Sequence, residues 1–303
     1  MTCTRATLIL GLLSAWLATA AVADERTKSM DEAAALVATL KFQQGAIPLE
    51  GNVATLQVPE SMRYLNPADA TKVLVNLWGN PPGAKTLGLL VPAECNLLND
   101  CWAVIMTYEE DGYVKDDDAE KIDYGSLLKQ MQKDTAAANK QRTRDGYEPI
   151  ELVGWATPPR YDRATHKLYW AKDLKFGDLP ENTLNYNIRI LGRRGVLVLN
   201  AVAGMSQLQE IEQATPAILA AVDFNAGSRY ADFSATSGDK IAAYGVGALV
   251  AGGVAAKAGL FKGLLVLLLG AKKFVVIAVV AIAAGARKFF AARSERASND
   301  QAS

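Results

Sequence analysis

The stretch IELVGWATPPRYDRATHKLYWAKDLKFGDLPENTLNYNIRILGRRGVLVLNAV, residues 150–202, decides the fold. Four runs rich in β-branched and aromatic residues, Ile150–Thr157, Lys167–Leu174, Thr183–Leu191 and Val196–Val202, are separated by turn formers at Pro158-Pro159, Gly177 and Gly192 to Gly195. Strands joined by such short turns fold back beside their predecessors, so the stretch predicts an antiparallel meander.

Helices and further strands surround it. A helix is expected over Met30–Phe42, started by Ser29 or Asp31, and a strand over Asn52–Val58 ended by Pro59. Asn66, Pro67 and Asp69 supply an N-cap, a first-turn proline and a first-turn acid for a helix that runs to Trp78. Strands Thr86–Val91 and Trp102–Tyr108 follow, joined through a loop that holds Cys95 and Cys101. A helix of some twenty residues, Tyr124–Arg144, carries Leu127, Leu128 and Met131 on one face, and a last helix covers Ser206–Phe224. Helices interspersed with antiparallel strands define an α+β domain with helices packed on a mostly antiparallel sheet.

Charge is unevenly distributed. Residues 24–239 hold 22 Lys/Arg against 30 Asp/Glu, a net of −8, whereas residues 240–303 hold 9 against 2, a net of +7. An acidic body argues against nucleic acid as its partner, because phosphate binding needs a positive footprint. A basic tail suits an anionic membrane surface.

Both ends are apolar. Arg5, the run Ala6–Leu17 and the small residues Ala21 and Ala23 have the layout of a signal peptide over residues 1–23, with cleavage after Ala23 or, as the alternative, after Ala20. Export would place Cys95 and Cys101 in an oxidising compartment, where their spacing predicts a local disulfide. At the other end, residues 240–290 read as a membrane anchor and 291–303 as a polar basic tail. One span over Ile241–Phe261 and a helical hairpin with a second arm at Leu264–Ala286 are the competing topologies; the hairpin buries Lys272 and Lys273 in the bilayer. Gly247, Ala251, Ala255, Gly259 and Gly263 recur every fourth residue, a spacing that lets a second helix approach closely, or that reflects only the abundance of glycine and alanine here. The expected address is the bacterial inner membrane with the α+β domain, residues 24–239, outside the cytoplasm.

Few residues carry a chemical signature. His166 is the single histidine, so multi-histidine metal sites are excluded, and no G-x-S-x-G elbow occurs. Ser126 to Lys129 and Ser237 to Lys240 match S-x-x-K without the companion motifs of serine acyl-enzymes. The acids around Asp116, Asp117 and Asp118 lack the glycine spacing of a calcium loop. Gly245-Val246-Gly247 lacks the later glycine and the preceding strand of a nucleotide loop. No metal or cofactor is expected. Trp155, Tyr161, Tyr169 and Trp170 cluster around one hairpin and either line a ligand groove or fill the core.

Several blocks together resemble a known family: Trp78 to Pro82, Gly112 to Ala119, Gly154-Trp155 through Pro159 to Asp162, His166 to Ala171, Leu191 to Arg193, then Gly227, Tyr230, Asp232, Phe233 and Asp239 to Gly247. The chain resembles, over roughly residues 50 to 290, the bacterial domain of unknown function 2167, described as membrane-anchored. The resemblance implies an envelope location and a tether, and transfers no catalytic residues. Three functions remain in view. The first is a non-enzymatic envelope module that binds a protein or other ligand. The second is a hydrolase built on Asp116, Asp117, Asp118, Asp162 and His166. The third is a structural protein that self-associates through its glycine face.

Overall fold

The computed structural model describes residues 30–252, apart from 81 and 100. The expected meander is present and extended. Strands β8 (Ile150–Asp162), β9 (Lys167–Phe176), β10 (Thr183–Leu191) and β11 (Val196–Gly204) pair antiparallel in sequence order. Four further strands, β1 (Phe42–Gln43), β4 (Met62–Leu65), β5 (Gly88–Pro92) and β6 (Ala103–Glu109), complete an eight-stranded sheet of order β1-β4-β5-β6-β11-β10-β9-β8.

Pro158 and Pro159 do not make the expected turn. They lie inside β8, whose register with β9 shifts three times. Proline cannot donate to a ladder, and β8 tolerates two because it is the sheet edge. The chain reverses later, where the Asp162 carboxylate accepts from Ala164 N and Thr165 Oγ1 and His166 takes φ of 52°.

One face of the sheet is covered without a break. Leu184, Tyr186, Ile188 and Ile190 of β10 project there with Leu197 and Leu199 of β11 and Val104 and Met106 of β6. They pack against α4 (Leu208–Ala221) through Ile211 and Ile218. A small second sheet of β2 (Gly45–Pro48), β3 (Ala54–Val58) and β12 (Val222–Phe224) closes the same face through Leu56 and Phe224. The expected last helix thus ends at Ala221, and its final residues turn extended to pair with β3.

The opposite face is covered in three pieces. At one end α1 (residues 30–38) and α2 (Pro67–Thr71), which continues as a π-turn over Lys72–Leu77, cover Leu65, Leu89 and Ile105. Asn66 caps α2 as expected, its Oδ1 accepting from Asp69 N at 3.0 Å. Beside the far edge, α3 (Tyr124–Arg144) sets Met131 on Leu152, Leu174 and Phe176. Asn139 donates to Ile150 O and accepts from Ile150 N, both at 2.8 Å, so the helix answers part of the open edge of β8.

The third piece corrects the expected anchor. Residues Ile241–Gly245 form β13, parallel to β7 (Tyr113–Lys115), and Val246–Ala251 form the short helix α5. Val246, Leu249 and Val250 are buried against Val114, Leu168 and Val196. A span beginning at Ile241 is therefore excluded at its start, and the folded body continues past residue 239. Uncharged composition alone does not separate a buried strand and turn of helix from lipid-facing chain. Gly247 belongs to this body: its N–H donates to Asp118 Oδ2 at 3.0 Å, so it does not serve a helix pair in a bilayer. Ala251 ends α5, while Ala255, Gly259, Gly263, the rest of the anchor, the leader and the tail lie outside the described residues. No helix among the described residues is long and apolar enough to cross a membrane.

Cys95 and Cys101 are bonded as a disulfide, their Cα atoms 5.8 Å apart, in the loop between β5 and β6.

Candidate functional site

Two groups of polar side chains stand out; the first contains Asp116, Tyr161 and His166 from the sequence reading, and the second contains Trp170 alone of the residues it singled out. At the turn between β8 and β9, Tyr161 Oη donates to Asp116 Oδ2 at 2.8 Å and lies 3.1 Å from His166 Nδ1. Burial first, then the bond to Asp116, holds the Tyr161 phenol well above its ordinary range, so it stays protonated. With the phenol proton committed to Asp116, the imidazole Nδ1–H is the donor to the phenol oxygen. The imidazole stacks on Tyr230 at 3.9 Å, Tyr230 on Tyr113 at 4.4 Å, and Tyr113 on Phe233 at 4.1 Å. Tyr230 Oη donates to Val114 O. The group therefore ties the β8–β9 turn to β7 and to the segment after β12.

Of the five acid and histidine candidates, the structure joins Asp116 and His166. Asp118 is turned to α5, its two oxygens accepting from Val246 N at 2.9 Å and Gly247 N at 3.0 Å. A strand does precede Gly245-Val246-Gly247, but the amides there hold the chain's own carboxylate. A Cβ on Gly245 would sit 2.6 Å from Asp118 Oδ1, which explains glycine at that position. Asp117 is exposed and Asp162 is taken up by its turn. Among the described residues no serine, threonine or cysteine hydrogen-bonds to His166. The two S-x-x-K serines are accounted for: Ser126 Oγ donates to the α3 cap Asp123, and Ser237 Oγ to Ser234.

The aromatic groove is not formed as a unit. Side chains alternate along β9, so Tyr169 packs on the continuous core while Trp170 faces the other way, buried beneath the third cover. Trp155 is partly buried and donates to Tyr124 O, and Tyr161 belongs to the histidine group.

The second group occupies the sheet centre, beside the third cover and in part beneath it. Register sets Trp170, Asn187, Asn200 and Ile105 side by side across β9, β10, β11 and β6, with Lys172 and Asn185 in the next row and Arg189 and Thr107 in the row on the other side. Asn185, Asn187 and Asn200 are buried and linked: Asn187 Nδ2 donates to Asn185 Oδ1 at 2.9 Å and Asn185 Nδ2 to Asn200 Oδ1 at 3.1 Å. Arg189 lies over the Trp170 ring, 5.2 Å from its centroid. Trp170 Nε1 is buried with no acceptor, and Lys172 Nζ has no hydrogen bond or ion pair, among the described residues. Burial and the charge of Arg189 push the Lys172 ammonium down to about 8. Burial likewise lowers the Arg189 guanidinium, with the Glu109 carboxylate at the sheet end opposing the shift. Among the described residues no cluster of histidine, cysteine and acids could hold a metal ion.

Fold and site together define an α+β domain with buried polar side chains at its sheet centre and, among the described residues, no serine, threonine or cysteine bonded to the histidine. The chain belongs to the family described as protein of unknown function DUF2167, whose model matches residues 41–283. No curated protein matches it. Solved structures with some likeness include the cyanobacterial PsbP of Synechocystis sp. PCC 6803, 8% identical, TM-score 0.33, covering 61% of this chain and 92% of that one. Another is LpqN of Mycobacterium tuberculosis, described as involved in cell envelope biogenesis, 13% identical, TM-score 0.30, covering 61% and 91%. A third is the Ran-binding protein Mog1p of Saccharomyces cerevisiae, 12% identical, TM-score 0.30, covering 61% and 96%. At these scores none assigns a function to this chain.

Proposed function

We propose that this protein is a non-enzymatic binding module of the bacterial envelope, exported by its leader, tethered to the inner membrane by residues beyond the folded body, and binding its ligand at the polar centre of the sheet. The observation that carries the binding reading is the presence of Asn187, Asn200, Lys172 and Arg189 in three successive rows of a face whose apolar cover is split into three. A sheet centre that served only stability would be apolar, since each buried polar group must find a partner or destabilise the fold. The hydrolase alternative is weaker: Tyr161 and Asp116 satisfy one side of His166, Asp118 caps α5, Asp162 serves its own turn and Asp117 is exposed.

Site-directed photo-cross-linking in cells tests the reading. A cross-linking residue at position 107, in the register row of Arg189 with Val198 between them, is expected to give a reproducible adduct that position 133, on the exposed side of α3, does not give. His166→Ala is expected to leave that adduct unchanged. Equal labelling from both positions, or none from 107, would count against a ligand at the sheet centre.

A further inference from the structure

The donors at the sheet centre outnumber the acceptors that face them. The asparagine ladder runs one way, from Asn187 to Asn185 to Asn200, and so ends on the Asn200 amide, which has no acceptor among the described residues. Trp170 Nε1 is buried and likewise lacks one. Lys172 Nζ has neither hydrogen bond nor ion pair among the described residues, and the charge that acts on it is that of a second cation, Arg189. All this lies in a body of net charge −8, where carboxylates are plentiful. Elsewhere the same chain pairs its cations: Lys72 with Asp69 at 2.7 Å, Arg193 and Arg194 with Asp239 at 2.6 and 3.0 Å. Two partly buried cations on one face, without a carboxylate at ion-pair distance, repel each other and lose hydration, so their presence there destabilises the empty domain.

We propose that Lys172, Arg189, the Asn200 amide and the Trp170 indole N–H form an oxyanion site that holds a phosphate or carboxylate group of the ligand. The inference rests on the reading of the sheet centre as the binding surface, and adds the ligand's chemistry. Arg189 lies over the Trp170 ring, 5.2 Å from its centroid, and its Nη1 donates to Ile188 O at 3.0 Å, which leaves the remaining N–H groups of the guanidinium for an oxyanion. Lys172 enters from the next row as a point charge, and the asparagine and indole donors have fixed directions because the ladder and the strand backbone hold them. Glu109, at the end of the sheet near Arg189, sets the outer limit of the positive region. The site supplies donors only, so it discriminates against cationic and neutral ligands. The oxyanion is carried either by a soluble molecule or by a lipid headgroup.

Calorimetric titration of the full chain in a neutral detergent with inorganic phosphate, and separately with citrate, tests the site. Saturable binding of at least one anion is expected, weakened about tenfold or more by Lys172→Gln and by Arg189→Lys, which keeps the charge but loses the fork. Lys172→Arg is expected to retain binding, which keeps the test valid if the Gln variant melts. Vesicles of zwitterionic lipid with and without phosphatidylglycerol separate the sources: a headgroup ligand makes vesicle binding sensitive to Lys172→Gln, a soluble one does not. No saturable binding of either anion together with no variant-sensitive vesicle binding would overturn the proposal, as would equal affinity in the wild type and both weakening variants. An adduct at position 107 without anion binding would retain the binding module and remove the oxyanion.

Discussion

Trp170→Ala is expected to destabilise the domain by about 3 to 5 kcal/mol, the range for removing a large aromatic from a packed interior. The ring is 1% exposed and packs with Leu168, Val198 and the β7–β13–α5 block. Its removal leaves a void between the sheet and that block, and the backbone of β9, paired on both sides, cannot move in to fill it. Trp170→Phe is expected to cost only about 1 to 2 kcal/mol, because most of the packing survives and the lost N–H had no acceptor in the fold. Urea denaturation of both variants checks this order. A loss below about 1 kcal/mol for the alanine variant would show that the third cover is not seated on the sheet.

Asp118→Ala is expected to release the C-terminal part of the body. The carboxylate is the acceptor for two backbone N–H groups at the start of α5, and loss of an acceptor from part-buried donors costs about 1 to 3 kcal/mol. The effect is local, since α5 is six residues long and depends on its docking. Hydrogen exchange at Val246 and Gly247 should accelerate by one to two orders of magnitude while β10 and β11 keep their protection. Asp117→Ala, at an exposed position of the same acidic run, should change neither. Unaltered exchange in the Asp118 variant would mean that the helix is held by its apolar side chains alone.

The meander was legible because its alternation and its turn formers agree: β10 begins and ends where Thr183 and Leu191 suggest, and α3 covers the 21 residues from Tyr124 to Arg144. The cap at Asn66, the disulfide loop and the family blocks were equally local signals. Readings failed where tertiary context reverses a local cue. Two prolines mark a turn in most contexts, but an edge strand accepts them. Ile241 to Gly245 has the composition of a membrane segment, yet its place is set by pairing with Tyr113–Lys115 more than a hundred residues earlier. The polar sheet centre was missed for a related reason. In β10 the order Thr183, Asn185, Asn187, Arg189 alternates with apolar residues as in any strand with one wet face. The signal that could have found it is in β11, where Val196 to Val202 is apolar on both faces except for Asn200. A strand buried on both sides with a single asparagine in its middle marks a polar site inside the fold.

On this reading the charges at the sheet centre serve a ligand and not the fold. Comparing the thermal stability of the unliganded wild type with that of Lys172→Met tests it most directly. Methionine keeps the length of the side chain and removes an unpaired cation. At about pH 7 the variant is expected to be the more stable by about 1 kcal/mol. In the folded wild type the ammonium titrates at about 8 instead of 10.5, so between those values the unfolded chain holds more protons and wild-type stability rises with pH. The advantage of the methionine variant should therefore shrink across that window. A variant less stable than the wild type at about pH 7 would show that Lys172 supports the fold, and would contradict the account.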